Sequence, residues 1–273
     1  MKWKYYSPKF EYEEKFQDAG WPWAGHKRFA YDLTGNMKPK KIVELGTHYG
    51  TSLFSMCQAI KDAKLDTEIS AVDTWKGEEH AGFYGEEVFE TVNQIKNKFY
   101  PQIKINLIRK TFDDALAEFE DNSINVLHID GLHTYEAVKH DFENWISKVK
   151  DDGIVFLHDI KVEEGDFGVY KLWEELKKQY TTMEFHHSFG LGVLFLNKKT
   201  GSEIIKLQEK LQMHYCYIHE NKKNEKINIS LGLIQQKDQE IKQKDQEIVF
   251  MKSSKFWKLR NKYMNIKNIL KIK

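Results

Sequence analysis

Residues 41–52 read KIVELGTHYGTS, and the fold follows from how this stretch is parsed. The short apolar run 41–45, closed by a glycine-bearing turn, reads as a buried strand. Gly46 and Gly50 allow a sharp turn and a close approach of backbone to a ligand. A helix is expected from about Thr51 to Lys61, so the stretch is a strand, a turn and a helix N-terminus in sequence.

Upstream, residues 1–25 are aromatic and irregular, ending in GWPWAG, and a helix is expected from about His26 to Leu33, stopping near Gly35. Lys38-Pro39 supports that stop, since a residue before proline resists α geometry. Downstream, strands are expected at 68–75, 104–110, 124–130 and 153–160, with two more within 182–197. Helices are expected at about 86–99, 113–119, 135–149 and 168–179. Strands alternating with helices predict a mostly parallel sheet with helices on both faces. The near-continuous apolar character of the first five strands fits burial on both sides. The predicted fold is therefore α/β and Rossmann-like. Ligands in such folds bind beyond the carboxyl ends of the strands.

The chain has 273 residues, 42 Lys and Arg against 41 Asp and Glu, and a 41% hydrophobic fraction. That balance excludes a general polyanion binder, and no nucleic-acid partner is expected. Cys57 and Cys216 lack CxxC spacing, which excludes a disulfide framework and fits a reducing compartment. No apolar window reaches transmembrane length and the first residues lack a signal-peptide core, so a cytoplasmic protein is expected.

The first strand end carries Glu44, Gly46, Thr47, Gly50, Thr51 and Ser52, and the second strand ends at Asp73. A dinucleotide fingerprint would place a glycine where His48 stands, so a pyrophosphate seat is disfavoured. An acid two residues before the first glycine suits a cationic ligand instead. S-adenosylmethionine presents an ammonium, a sulfonium, a ribose and an adenine, without phosphate. Asp73 sits where a carboxylate accepts hydrogen bonds from both ribose hydroxyls.

Three stretches, VELGTHYGTS, AVDTW and NVLHIDGLHTYEAVKHDFENWISKVKDDGIVFLHD, resemble class I S-adenosylmethionine-dependent methyltransferases. The nearest branch holds the macrocin-type sugar O-methyltransferases and the similar cephalosporin hydroxylase-like proteins. The resemblance covers about residues 20–197 and implies a seven-stranded sheet with an antiparallel last hairpin. It places Glu44 and Gly46 near the methionine part, Asp73 on the ribose, and Thr111 and Phe112 near the adenine. Asp130, at the fourth strand end, is expected both at the cofactor and on a metal ion.

Methyl transfer to a sugar hydroxyl calls for a general base, a metal, or both. The fourth and fifth strand ends bring Asp130, His133, His158 and Asp159 together without contiguity in sequence. The resemblance implies His133 as base and a divalent ion, Mg²⁺ or Mn²⁺, on Asp130, His158 and Asp159. His158 stands where the family often has Glu, and imidazole shifts preference toward Mn²⁺, Fe²⁺ or Zn²⁺. Trp21, Trp23, His26 and the loop 76–86 are where a substrate lid is expected. His48, His80, His128, His140, His186 and His187 are given no role.

From about residue 201 glycine nearly vanishes and a helical tail is expected. QKDQEI occurs twice, at 236–241 and 243–248, and Ile234, Ile241 and Ile248 fall seven apart, a short coiled-coil pattern. Residues 249–273 are basic and aromatic. Peripheral membrane contact through 249–273 and self-association through the heptads are the roles open to this tail. The expected organisation is an aromatic segment at 1–25, the cofactor domain at 26–200 and the tail at 201–273. The expected function is O-methylation of a sugar hydroxyl of a glycan or glycosylated metabolite. A glycan-assembly adaptor with a vestigial cofactor domain and cephalosporin hydroxylase-like oxidation are the alternatives.

Overall fold

The computed structural model describes residues 3–16, 22–253, 258–260, 262 and 264. Trp21 and most of 249–273, with Phe256, Trp257, Tyr263, Ile266, Ile269 and Leu270, lie outside the described residues.

Seven strands form one sheet: β1 (Lys41–Leu45), β2 (Glu68–Val72), β5 (Lys104–Ile108), β6 (Ile124–Ile129), β7 (Val149–His158), β8 (Thr181–Phe185) and β9 (Leu191–Phe195). Their order is β5-β2-β1-β6-β7-β9-β8, parallel throughout except for β9, which runs antiparallel to both neighbours. The predicted seven-stranded Rossmann-like sheet is therefore present.

Strand periodicity divides the core in two. Ile42, Val126, Ile154 and Phe156 point to the layer containing Phe29, Leu53 and Val88, from α1 (Lys27–Met37), α2 (Thr51–Asp62) and α3 (Glu86–Phe99). Val43, Leu127, Val155 and Leu157 point to the layer containing Ala115, Trp145 and Trp173, which packs α4 (Phe112–Ala115), α5 (Tyr135–Trp145) and α6 (Val169–Leu176). The chain leaves β1 for β2 on one side, while β6 lies on the other side of β1. The crevice at the carboxyl ends of β1 and β6 is thus a topological switch point.

Two details differ from expectation. Helix α1 does not stop near Gly35 but continues to Met37, where Lys38 takes a left-handed conformation and gives its N–H to the Thr34 carbonyl. A Cβ at Gly35 would lie 3.3 Å from the Tyr6 ring, a tight contact. The 76–86 loop carries a short hairpin, β3 (Gly77–Glu78) and β4 (Gly82–Phe83). One compact unit spans Met1–Tyr217. Trp3, Phe10 and Tyr12 are buried in the core, as are Leu211 and Tyr215 at the start of α8 (Gln208–Ser253), which follows α7 (Lys198–Ile205). The Trp3 indole donates to the Tyr215 hydroxyl, which donates to Asp32 at 2.5 Å.

The second unit, Ile218–Lys273, contains the rest of α8. Residues 236–248 are helical there, with Ile241 and Ile248 exposed. Phe250, Met251, Leu259 and Met264 are exposed as well. Among the described residues, no helix is long and apolar enough to cross a membrane.

Candidate active site

The turn after β1 is built around Gly46, whose φ is +84°. A Cβ there would sit 1.9 Å from the Asp130 carbonyl oxygen, so only glycine lets the two strand ends approach. The Gly46 N–H donates to Val72 O and the Asp130 N–H to Leu45 O, tying the ends of β1, β2 and β6 together. His48 and Gly50 also take positive φ, 50° and 82°. His48 thus bears at some cost a conformation that glycine adopts freely.

Asp73 braces this turn. Its Oδ2 accepts the N–H groups of Thr47 (2.8 Å) and His48 (3.0 Å), and its Oδ1 accepts that of Trp75 (2.7 Å). A carboxylate offers about four acceptor positions. One therefore remains for a ligand hydroxyl, where the sequence reading assigned two.

Glu44 lies elsewhere than expected. Its side chain is fully buried and does not border the cavity described below. It pairs with His128, its register partner on β6, through Nδ1 at 3.0 Å. The Trp23 indole N–H donates to His128 Nε2 at 3.0 Å. That nitrogen must carry a lone pair, so the proton sits on Nδ1 and is donated to Glu44. A three-residue buried relay thereby fixes Trp23 against the sheet. His128 was detectable in principle, because strand alternation puts it on the face of Glu44 next door and two residues from Asp130.

The loops after β6 and β7 supply the second half of the site. His133 Nε2 lies 3.4 Å from Asp130 Oδ1 and 3.0 Å from Asp159 Oδ2. His158 Nδ1 lies 3.4 Å from Asp130 Oδ1 and 3.2 Å from Asp159 Oδ1. Asp159 takes φ 61°, a left-handed conformation that costs about 1–2 kcal/mol outside glycine. Burial opposes charge on His133, but hydrogen bonds and the charges of Asp130 and Asp159 outweigh it and raise its pKa to about 9. The same opposition raises His158 to about 10. Burial would raise Asp130 and Asp159, yet the two imidazoles hold both below the usual carboxylate range.

A cavity of about 590 Å³ joins the two halves. Gly46, Thr47, Thr51, Ser52, Asp73, Thr111 and Phe112 border one part, and Asp130, His133, His158 and Asp159 the other. Thr111 accepts the Asp114 N–H as the N-cap of α4, and Phe112 lies across Gly131. Glu78, His80, Tyr84, Phe167 and Phe189 also line the cavity; the sequence assigns His80 no role and singles out none of the other four individually. His80 accepts the His133 backbone N–H at Nδ1, so its Nε2 carries the proton donated to Asp166 at 2.7 Å. Its ring stacks on Phe167, closing the hairpin over the site. Of the expected lid residues, Trp23 lines the cavity and His26 stands behind it, 5.5 Å from the His158 ring.

Comparison with known proteins bears on this cavity. A family model described as a methyltransferase domain matches residues 43–160, the span from β1 to the end of β7. An S-adenosylhomocysteine-bound methyltransferase from Podospora anserina shares the fold, with a TM-score of 0.50 and 13% identity over 68% of this chain and 85% of that one. A candidate O-methyltransferase from Klebsiella pneumoniae does so with a TM-score of 0.50 and 14% identity over 68% of this chain and 88% of that one. An uncharacterised protein of Sinorhizobium fredii, y4gI, is 44% identical over 196 residues, or 72% of this chain. The chain spans 21% of the length of that relative.

One acid beside the cavity stands apart from this chemistry. Asp141, on α5 behind Gly131, is buried, and that burial raises its pKa to about 7, with Asp113 adding to the effect and His140 opposing it. A raised pKa means stability present below about pH 4 and lost as pH rises through 7. Asp141→Asn removes that loss and is expected to gain about 2–4 kcal/mol over the parent at pH 8 and little at pH 4. Thermal unfolding at both pH values checks this; an equal difference at both would count against a buried titrating carboxyl.

Proposed function

We propose that the chain is an S-adenosylmethionine-dependent O-methyltransferase acting on a sugar hydroxyl of a glycan or glycosylated metabolite. The observation that carries this reading is the single cavity joining the glycine turn and Asp73 to the Asp130, His133, His158 and Asp159 cluster. A cofactor seat and a proton-accepting, cation-binding cluster share one space.

The donor set fits a divalent ion. Asp130, His133 and Asp159 present ligand atoms within 4.8 Å of one another. The two histidines differ in what lies behind them. His158 Nε2 donates to the Ser188 carbonyl at 3.1 Å, which turns its Nδ1 toward both carboxylates. Metal-binding histidines commonly have such an outer partner. His133 Nδ1 is buried without a hydrogen-bond partner. This favours Asp130, Asp159 and His158 as the residues that would hold the ion and leaves His133 for proton transfer.

Bound S-adenosylmethionine supplies an electrophilic methyl group, and a divalent ion lowers the pKa of a hydroxyl next to it. The residues supply the remainder. Asp73 and the Gly46–Gly50 turn would hold the cofactor end with Phe112 beside its adenine, and Asp130 and Asp159 would position the acceptor oxygen. Methyl transfer from the sulfonium to that oxygen would leave a neutral thioether, and His133 would take the hydroxyl proton. With carboxylate charge shared with an ion, less of it remains to hold His133 protonated.

Calorimetric titration of the full chain with S-adenosylmethionine, in EDTA and then in excess Mn²⁺, tests the reading. Micromolar binding, with methyl transfer to glycan acceptors that EDTA removes, is the expected result. No binding under either condition would overturn it in favour of a vestigial cofactor domain.

A further inference from the structure

The cavity has an unbalanced charge inventory. Asp73, Glu78, Asp130 and Asp159 border the cavity, and among the described residues no lysine or arginine does. The imidazoles of His133 and His158 face Asp130 and Asp159, and His80 gives its Nε2–H to Asp166. Burial lowers the pKa of His48, disfavouring its charged form. The imidazoles of His80, His133 and His158 are each already engaged by a carboxylate, so no positive side chain lining the cavity is left to meet an anion. A phosphate, a diphosphate or a uronate carboxylate would thus be desolvated here without a counter-charge.

A second observation concerns shape. Ser188, Phe189 and Gly190 take φ of 51°, 64° and 87° in succession. For a side chain as bulky as Phe this conformation is a true outlier. The turn is fixed around it. The Ser188 carbonyl accepts from both His26 and His158, His187 Nε2 contacts the Gly25 carbonyl, and the Lys161 N–H binds the Phe189 carbonyl. The outcome is an aromatic ring 51% exposed that nonetheless lines the cavity. A half-exposed ring beside a hydroxyl-activating cluster is a platform for the apolar C–H face of a sugar.

Resting on the proposed sugar O-methylation, we infer that the acceptor is an uncharged sugar ring stacked on Phe189, already joined to a glycan or aglycone. Nucleotide-activated and phosphorylated sugars are then not substrates. Methylation follows glycosyl transfer, the class of reaction that supplies this acceptor.

The test uses the full chain with Mn²⁺ and tritiated S-adenosylmethionine, cofactor binding being measured separately by calorimetry. Each of a panel of hexoses and deoxyhexoses is offered as its methyl glycoside, its 1-phosphate and its nucleotide diphosphate. Label is expected on neutral members alone. Phe189→Ala is expected to raise KM for the labelled glycoside about tenfold with cofactor affinity unchanged, and Phe189→Tyr to restore it. Charged members labelled with equal or greater kcat/KM, or an unchanged KM in Phe189→Ala, would overturn the inference while the methyltransferase reading stands. Cofactor binding with no sugar labelled would overturn it as well. Failure to bind the cofactor would bring down the methyltransferase reading itself.

Discussion

His133→Ala is expected to lower kcat by about 10²–10⁴-fold, the usual contribution of a positioned general base. The loss should fall on kcat and leave S-adenosylmethionine affinity within about twofold, since binding energy common to ground and transition state is untouched. The geometry makes this residue hard to replace. His158 is tied at Nε2 to Ser188 and at Nδ1 to two carboxylates, and His80 is held between the His133 backbone and Asp166. Neither is free to turn toward the acceptor oxygen. Single-turnover methyl transfer beside calorimetric cofactor binding separates the two effects. A variant retaining a third or more of parental kcat would remove His133 from proton transfer, and would move it into the set that holds the ion.

Gly46→Ala is expected to carry a large structural penalty. The new methyl group would have to displace the Asp130 carbonyl, 1.9 Å away, from a strand end that donates its own N–H to Leu45. The left-handed φ adds about 1–2 kcal/mol and the overlap about 1–3 kcal/mol more. We expect a loss of about 2–5 kcal/mol in stability together with loss of cofactor binding. Gly82→Ala is the matched control. Its φ is +82°, yet nothing lies within 4 Å of the added carbon, so it should incur the conformational cost alone. Chemical denaturation of both variants gives the comparison. A Gly46→Ala protein no less stable than Gly82→Ala would mean that the contact between the two strand ends is soft.

Much of this was legible in the sequence because period and punctuation are local. KIVEL followed by Gly46 could be little else than a buried strand entering a tight turn, and β1 and α2 stand where residues 41–45 and 51–61 placed them. Asp130, His133, His158 and Asp159 could be grouped because parallel strands deliver their carboxyl ends to one edge. What stayed hidden depends on partners distant in sequence. Whether Glu44 meets a ligand or an imidazole is decided by His128, 84 positions away. Asp73 could be placed beside the cofactor, but not its bonds to the Thr47 and His48 amides, which depend on the turn geometry. Phe189 gave no signal, since the strain that presents it resides in backbone angles. Leu211 and Tyr215 stayed hidden for a related reason: they sit in a polar helical stretch and are core residues only because Trp3 and Asp32 come to meet them.

That junction of Trp3, Asp32 and Tyr215 has a consequence for biogenesis. A growing chain completes β1 to β9 before residue 196 has been made, yet its opening aromatic segment cannot settle until Tyr215 clears the ribosome. The nascent domain therefore passes through an interval with its sheet assembled while the apolar flank that Trp3, Phe10 and Tyr12 will cover is open to chaperones.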